Sequence, residues 1–171
     1  MPTTGSDDRP DDARSRLGTE TWGLLLRTHA ALVPALNREL ETARGLPLSW
    51  YDVLLELNAA PGRRLRMQEL GNRVVLSRSQ ASRVVDELAR AGLACRERDP
   101  ADRRGAHAVL TDAGRRALRE AAPVYLAGIA AHFTDHLAGD ELEALHRGLR
   151  RVLAAAEGPP PDDRGSPGPT G

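Results

Sequence analysis

The chain has 171 residues with no net formal charge, and only 3% of them are aromatic, so we expect one domain with a helical core of Leu, Val and Ala. All 24 basic residues are arginine, which excludes a Schiff-base lysine and a Walker A phosphate loop. The single cysteine excludes an internal disulfide and a multi-cysteine zinc site.

The charge is segregated along the chain. Residues 63–116 hold 13 Arg against seven acidic residues, a net of +6, which favours an anionic partner such as nucleic acid. Residues 1–16 are acidic and polar and residues 158–171 are rich in Pro and Gly, so both are predicted to be disordered tails. No apolar run reaches the ~18 residues of a membrane span and no signal peptide is evident, so we expect a cytoplasmic protein without membrane contact.

The first predicted helix spans residues 19–43, where apolar residues recur at helical spacing and Pro34 should introduce a kink. The second begins at Ser49, a possible N-cap, with Asp52 in its first turn. A short third helix is predicted for residues 66–74. Together they lead into the most informative part of the chain.

The fourth helix is predicted from LSRSQASRVVDELARAG. Ser77 and Gln80 form an S-x-x-Q capping box, and Gly92 ends the helix. One face is apolar and should be buried; it consists of Ala81, Val84, Val85 and Leu88. The opposite face is polar and consists of Ser79, Ser82, Arg83, Asp86 and Arg90.

A hairpin follows, with strands predicted at residues 93–98 and 106–111. The connection, Asp-Pro-Ala-Asp-Arg-Arg-Gly, is rich in turn residues and carries Arg103 and Arg104 at its tip. Both side chains are long enough to enter a DNA minor groove, where the negative potential is strongest. The hairpin is therefore a candidate wing.

Two further helices are predicted at residues 112–137, capped by Thr111, and at residues 140–157. Their apolar arcs, with that of the first helix, are broader than one small lobe can cover. A homodimer with two-fold symmetry would bury them and would match a palindromic DNA site.

A short helix, a turn, a capped helix and a hairpin within about 50 residues make the layout of a winged helix-turn-helix. The start of the capped helix interleaves short hydrogen-bonding side chains with Arg, which suits base edges and phosphates. We therefore expect the recognition helix, residues 77–91, in the major groove and the wing, residues 98–111, in the minor groove.

The wing carries an Asp-x-Arg motif followed by Leu-Thr, here Asp102, Arg104 and Leu110-Thr111, and LPLSWYDVLLEL opens the second predicted helix. Both stretches resemble the MarR family of bacterial transcription regulators, the first its wing and the second its second helix. The resemblance covers residues 17–157. By similarity, Arg104 would enter the minor groove and Asp102 would orient the wing.

The resemblance implies a mainly α (α+β) fold of six helices and a β-hairpin wing. A winged helix-turn-helix lobe at residues 47–115 would be joined to dimerisation helices at residues 19–43 and 112–157. It implies a ligand-responsive repressor that binds a pseudo-palindromic operator as a homodimer. No cofactor is expected, and we expect no enzymatic activity, because the sequence has no Ser-His-Asp spacing, no paired-carboxylate motif, no Gly-rich phosphate loop and no Lys. The predicted DNA contacts are Arg66, Arg78, Ser79, Gln80, Ser82, Arg83, Arg103 and Arg104.

Two positions depart from the family pattern. Arg66 stands where the family often has a Ser or Thr cap on the third helix, so that helix is capped less well or Arg66 itself touches phosphate. Cys95 lies on the first wing strand, whereas the family's peroxide sensors carry the reactive cysteine in the first helix. A passive cysteine is the default interpretation, and a redox-responsive regulator is the alternative.

Four residues on the first two helices form a candidate pocket for a small aromatic or phenolic effector: Trp22, His29, Trp50 and Tyr51. His29 suits a ligand partner, but a satisfied core histidine is the simpler interpretation.

His132 and His136 have the i, i+4 spacing of a zinc site, with Asp135 between them and His146 on the next helix. Ordinary interface histidines are the default interpretation, and a metal-responsive regulator is the alternative. A protein-interaction module without DNA binding is a third possibility, but it should have lost Arg83 and the wing arginines.

Overall fold

The computed structural model describes residues 10–99 and 105–158. The described residues up to residue 130 form one compact unit and those from residue 131 form a second. The described residues fold into six α-helices and three strands, which confirms the predicted mainly helical class. These elements are α1 (Pro10–Arg44), α2 (Leu48–Ala59), β1 (Arg64–Arg66), α3 (Met67–Arg73), α4 (Arg78–Arg90), β2 (Ala94–Arg98), β3 (Ala106–Leu110), α5 (Asp112–His132) and α6 (Gly139–Glu157).

The strands form one antiparallel sheet in the order β1-β3-β2. The predicted hairpin is present as β2 and β3, with Arg96 opposite Ala108. On its other side, Ala108 faces Leu65 of β1, a strand that the sequence did not predict. β1 has only three residues, Arg-Leu-Arg, and one of them is buried, so it is too short to show an alternating pattern.

The core of the winged lobe is built from α2, α3, α4 and the inner face of the sheet. The predicted apolar face of α4 is confirmed, since its four residues are all buried. The C-terminal end of α1 and the first half of α5 add Leu40, Leu118 and Ala121 to this core. The largest fully buried side chains are Leu40, Leu54, Leu57, Leu70, Leu88, Val53 and Val85.

Helix α1 begins at Pro10, inside the segment predicted as a disordered tail, and it continues through Pro34 to Arg44. Proline suits the first turn of a helix because its missing N–H would have no intrahelical partner there. The residues that follow include good helix formers, Ala and Arg, which the acidic composition concealed. The remaining domain boundaries stay predictions.

Helix α2 begins two residues earlier than predicted, with Pro47 rather than Ser49 at its N-cap position. The cap is supplied from a distance: the backbone N–H of Leu48 donates to Oδ1 of Asn37 on α1 at 2.9 Å. A local sequence pattern cannot reveal a capping side chain that lies on another helix.

Helix α5 has the predicted cap, since the backbone N–H of Gly114 donates to Oγ1 of Thr111 at 3.0 Å. It ends at His132, five residues before the predicted end, and residues 134–136 form a 3-10 turn. Phe133 leaves the helical region of backbone conformation, with φ −134° and ψ −65°, and this breaks the helix. No helix in the described ranges is long and apolar enough to cross a membrane.

Candidate nucleic-acid interface

The start of α4 is held by the predicted capping box. The backbone N–H of Gln80 donates to Ser77 Oγ at 3.3 Å, and the backbone N–H of Ser77 donates to Gln80 Oε1 at 2.9 Å. The Ser79 hydroxyl lies 3.2 Å from that of Ser77. Because the amide oxygen of Gln80 is used in the cap, its NH₂ group is the part left for a base edge or phosphate.

The first two turns of α4 present two exposed arginines, Arg78 and Arg83. Neither guanidinium has a hydrogen-bond or ion-pair partner among the residues that the structure describes. A planar guanidinium with free donors on an exposed helix face can bind a phosphate or the O6 and N7 atoms of guanine.

The remaining predicted contact on this helix, Ser82, is hydrogen-bonded to the wing sheet. Nη2 of Arg96, on β2, donates to Ser82 Oγ at 2.8 Å and to its backbone oxygen at 3.1 Å. Nε of the same guanidinium donates to Asp86 Oδ1 at 2.7 Å. Arg96 was not predicted from the sequence, because its role depends on which face of β2 meets α4.

The base of the wing is closed by Asp99, whose backbone N–H donates to the Gly105 carbonyl at 3.0 Å. Its buried carboxylate lies 2.7 Å from Nη2 of Arg66, at the start of α3. The backbone N–H of Arg66 donates to Glu69 Oε2 at 3.4 Å, but the Arg66 side chain has no acceptor and cannot cap the helix N–H groups as a Ser or Thr would. Arg66 is thus engaged with the protein, and its contact with DNA stays a prediction.

The wing tip itself, with Asp102, Arg103 and Arg104, lies outside the described residues. Of the residues predicted at the DNA, the structure gathers Arg78, Ser79, Gln80, Ser82 and Arg83 on one helix.

Trp50 was predicted to line an effector pocket. Instead its indole Nε1–H donates to Glu87 Oε2 on α4 at 3.0 Å, and its ring packs against the core. This contact ties α2 to the side of α4 and helps to hold the recognition helix in place.

A groove of about 630 Å³ lies between α1, α2, the connection from α3 to α4, and Tyr125 of α5. Among the four predicted pocket residues, only His29 lines it. Trp22 is exposed on α1, and Tyr51 is buried with its ring centroid 4.7 Å from that of Tyr125. Asp52 also lines the groove, although the sequence pattern had placed it only at a helix start.

Ionisation in this groove is perturbed. Burial, with a smaller contribution from the nearby Glu56 carboxylate, raises the pKa of Asp52 to about 6. Burial also raises the pKa of Tyr125 above its ordinary value, and the Asp52 charge adds to the effect. Arg73 faces the same space, 4.0 Å from Glu56. The groove therefore combines apolar walls with a few polar groups, as a small-molecule site does.

The redox alternative depends on Cys95 and the metal alternative on His132 and His136. Cys95 is exposed on β2, opposite Val109. His132 ends α5 and His136 lies in the 3-10 turn, so the continuous helix needed for their predicted i, i+4 relation is absent. Among the described residues, no three His, Cys, Asp or Glu side chains are grouped so that they could hold a metal ion.

Comparison with known proteins gives consistent results. A family model described as MarR family matches residues 44–105. The crystal structure of AbsC, a MarR family transcriptional regulator from Streptomyces coelicolor, is 31% identical with a TM-score of 0.73, covering 82% of this chain and 95% of that one. Sco3205 from the same organism, a MarR family transcriptional regulator in complex with DNA, is 33% identical with a TM-score of 0.74, covering 86% and 91%.

Among curated proteins, the uncharacterised HTH-type transcriptional regulator YkoM of Bacillus subtilis (strain 168) is 36% identical over 80 residues. That match covers 47% of this chain and 51% of YkoM, so it spans about half the length of that relative.

Proposed function

Since this chain belongs to the MarR family of transcriptional regulators, we propose that it is a cytoplasmic repressor that binds a pseudo-palindromic operator as a homodimer and releases it in response to a small molecule. The family and fold are those of regulators, and enzymatic activity forms no part of the proposal.

The exposed face of α4 is the observation that carries the proposal. Its helix start is fixed by a capping box, and Arg78 and Arg83 stand on its surface without a partner in the described part of the chain. In this proposal residues 77–91 enter the major groove, where the side chains at the helix start meet base edges. The relative Sco3205 was crystallised with DNA, which supports a DNA-binding role for a chain of this fold.

The wing, residues 98–111, would enter the adjacent minor groove. Arg104 is proposed to insert there, Arg103 to contact the backbone, and Asp102 to orient the loop. Support comes from the base of the wing, where the Asp99–Gly105 hydrogen bond and the Arg66–Asp99 ion pair hold its two strands beside α3.

Two apolar surfaces, one on α1 and one on α6, support the proposed homodimer. On α1, Trp22 and Leu24 are exposed in the single chain. On α6, an apolar groove of about 570 Å³ is lined by residues such as Leu149, Val152 and Leu153. Large apolar surfaces on a folded chain are typical of protein–protein contacts.

The groove between α1 and α2 is the proposed effector site. A small aromatic or phenolic molecule could stack on the apolar walls beside Tyr125, with His29, Asp52 and Arg73 as polar partners. Binding there would alter the packing of α1 and α2 against the segment that leads into α4.

DNA binding tests the proposal. The measurement is the affinity for duplexes from the region upstream of the chain's own gene, titrated with salt. The slope of log K against log salt is negative, and removing one arginine that binds a phosphate should reduce its magnitude by about 0.9. Arg83→Ala and Arg104→Ala should each weaken binding by roughly 1–3 kcal/mol, whereas Arg119→Ala, which removes an exposed charge on α5, should change it little. Absence of specific binding at low salt would refute the proposed function.

A further inference from the structure

Asp86 poses a problem for a DNA-binding face. It stands exposed on the polar side of α4, close to where the proposed function puts DNA phosphates. A carboxylate there repels the DNA backbone and should weaken binding, so its presence calls for a compensating role.

In the structure, the Asp86 carboxylate accepts a hydrogen bond from Arg96 on the wing sheet, and this contact gives Asp86 a role. The guanidinium of Arg96 uses Nε for Asp86 and Nη2 for the two oxygens of Ser82, at distances between 2.7 and 3.1 Å. Ser82 and Asp86 are four residues apart, one turn of the same helix face. One side chain from the wing sheet therefore forms hydrogen bonds with two successive turns of the recognition helix.

Arg96 can make these hydrogen bonds because of the face of β2 on which its side chain lies. Ala94 lies two residues earlier on the same face of the strand and is buried against the lobe. Arg96 thus lies on the inner face, beyond the edge of the core, where its fork can reach α4. Charge-assisted hydrogen bonds of this kind are short and directional, and a guanidinium loses little freedom in making them.

We propose that Arg96 is a positioning residue for DNA binding, held by Asp86, which sets the orientation of the wing sheet relative to the recognition helix. In the proposed function, the major-groove contacts come from α4 and the minor-groove contacts from the wing. Their relative orientation decides whether both fit the same duplex. The inference rests on the proposed function, since it concerns how DNA is bound.

The positioning role makes a prediction opposite in sign to that of simple electrostatics. Asp86→Asn removes a negative charge near DNA, so charge alone predicts tighter binding. If Asp86 anchors Arg96, the same variant should bind several-fold more weakly, because its amide oxygen can accept from Arg96 only an uncharged hydrogen bond, about half as strong as the charge-assisted one. Glu120→Gln on α5, an equal change of charge at an exposed position, is the matched control and should leave affinity unchanged.

A second pair of variants separates charge from geometry. Arg96→Lys keeps the positive charge but cannot reach Asp86 and Ser82 with one rigid fork, so it should lose nearly as much affinity as Arg96→Ala. Both substitutions lie on a partly exposed side chain, so the thermal midpoint should move by no more than a few degrees. A purely structural role would instead lower the midpoint and leave the affinity of the folded protein unchanged.

The experiment measures fluorescence anisotropy of a labelled duplex from the chain's own upstream region, beside a duplex of random sequence, for the wild type and these four variants. Weaker binding by Asp86→Asn and Arg96→Lys at an unchanged midpoint supports the inference. Equal or tighter binding by Asp86→Asn, or wild-type affinity in Arg96→Lys, overturns it while leaving the proposed function standing. Failure of the wild type to prefer its own duplex overturns both.

Discussion

The winged lobe and the helices α1 and α6 bury their apolar side chains to very different degrees. In the lobe, Leu54 and Leu88 are completely inaccessible to solvent. Trp22 on α1 is 59% exposed and Val152 on α6 is 66% exposed, although both are as apolar as the core residues. The lobe is therefore well packed, whereas the apolar faces of α1 and α6, each taken within its own unit, stay exposed among the residues that the structure describes.

The largest predicted effect on stability concerns a fully buried side chain inside the lobe. Leu54→Ala should lower the free energy of unfolding by about 2–5 kcal/mol, because it leaves a cavity in a fully buried position of α2. Leu55→Ala, the next residue on the same helix, is the control: Leu55 is 42% exposed and should cost much less. Urea denaturation of the two variants measures the difference, and equal effects would contradict the assigned core.

The uncovered face of α6 should matter for association rather than for folding. Leu153→Glu places a charge on the apolar groove, where the side chain is 58% exposed in the single chain. If this face forms the dimer, association should weaken roughly 100-fold, about 2.7 kcal/mol, because each protomer then presents a charge where an apolar side chain was buried. Sedimentation equilibrium measures the dissociation constant.

The matched control introduces the same acid on the polar side of α6. Arg147→Glu alters a residue that is exposed and pairs only loosely with Glu143, at 3.5 Å. It should leave the dissociation constant nearly unchanged. A Leu153→Glu protein that associates as strongly as the wild type would remove α6 from the proposed dimer interface.

The same difference in packing is seen at two glycines, one packed against the lobe and one on α1. Gly114, in the first turn of α5, packs so closely on the lobe that a Cβ there would collide with the Leu93 carbonyl oxygen and the Leu110 side chain. That oxygen accepts a hydrogen bond from the Thr111 backbone at 3.2 Å and cannot easily move. Gly114→Ala should therefore destabilise the protein by about 1–3 kcal/mol.

Gly18 on α1 should behave in the opposite way. Nothing lies within 4 Å of a Cβ at this position, so Gly18→Ala should raise stability by roughly 0.5 kcal/mol through helix propensity alone. Thermal and urea unfolding of the two alanine variants report the sign. Two changes of the same sign would show that α1 and the start of α5 do not differ in packing as described.

Features that depend on a few neighbouring residues could be predicted from the sequence. The buried face of α4, the Ser77–Gln80 capping box and the Thr111 cap are confirmed, because each is encoded within one or two helical turns. The same local information sufficed to put Arg83 on an exposed helix face.

Features that depend on distant partners could not. Strand β1 exists because β3 pairs with it, and three residues carry no periodic signal of their own. The Arg96 bridge and the Asn37 cap join residues on different elements, so no spacing rule reveals them. Trp50 was assigned to a pocket because it is aromatic, yet its indole N–H found an acceptor on α4.

A further predicted effect depends on pH and concerns the groove where α1 meets α2. The pKa of Asp52 is raised from 3.8 to about 6, mainly by burial and secondly by Glu56, so the folded state binds this proton more tightly than the unfolded state does. The stability that this proton contributes is complete below about pH 4 and is lost as the pH rises through 6.

Asp52→Asn removes the titrating group, so its stability relative to the wild type should rise between pH 4 and 6 and stay constant above that range. The gain at pH 8 should be about 1 kcal/mol, since partial solvation of the carboxylate screens the charge. Urea denaturation at pH 4, 6 and 8 measures it, and Glu56→Gln, which removes the neighbouring charge, should move the same transition to lower pH. A gain that is equal at pH 4 and pH 8 would mean that Asp52 is as well solvated as an ordinary surface acid. The groove would then be as accessible to water as the exposed face of α1, and the tightly packed part of the lobe would end before it reached the groove.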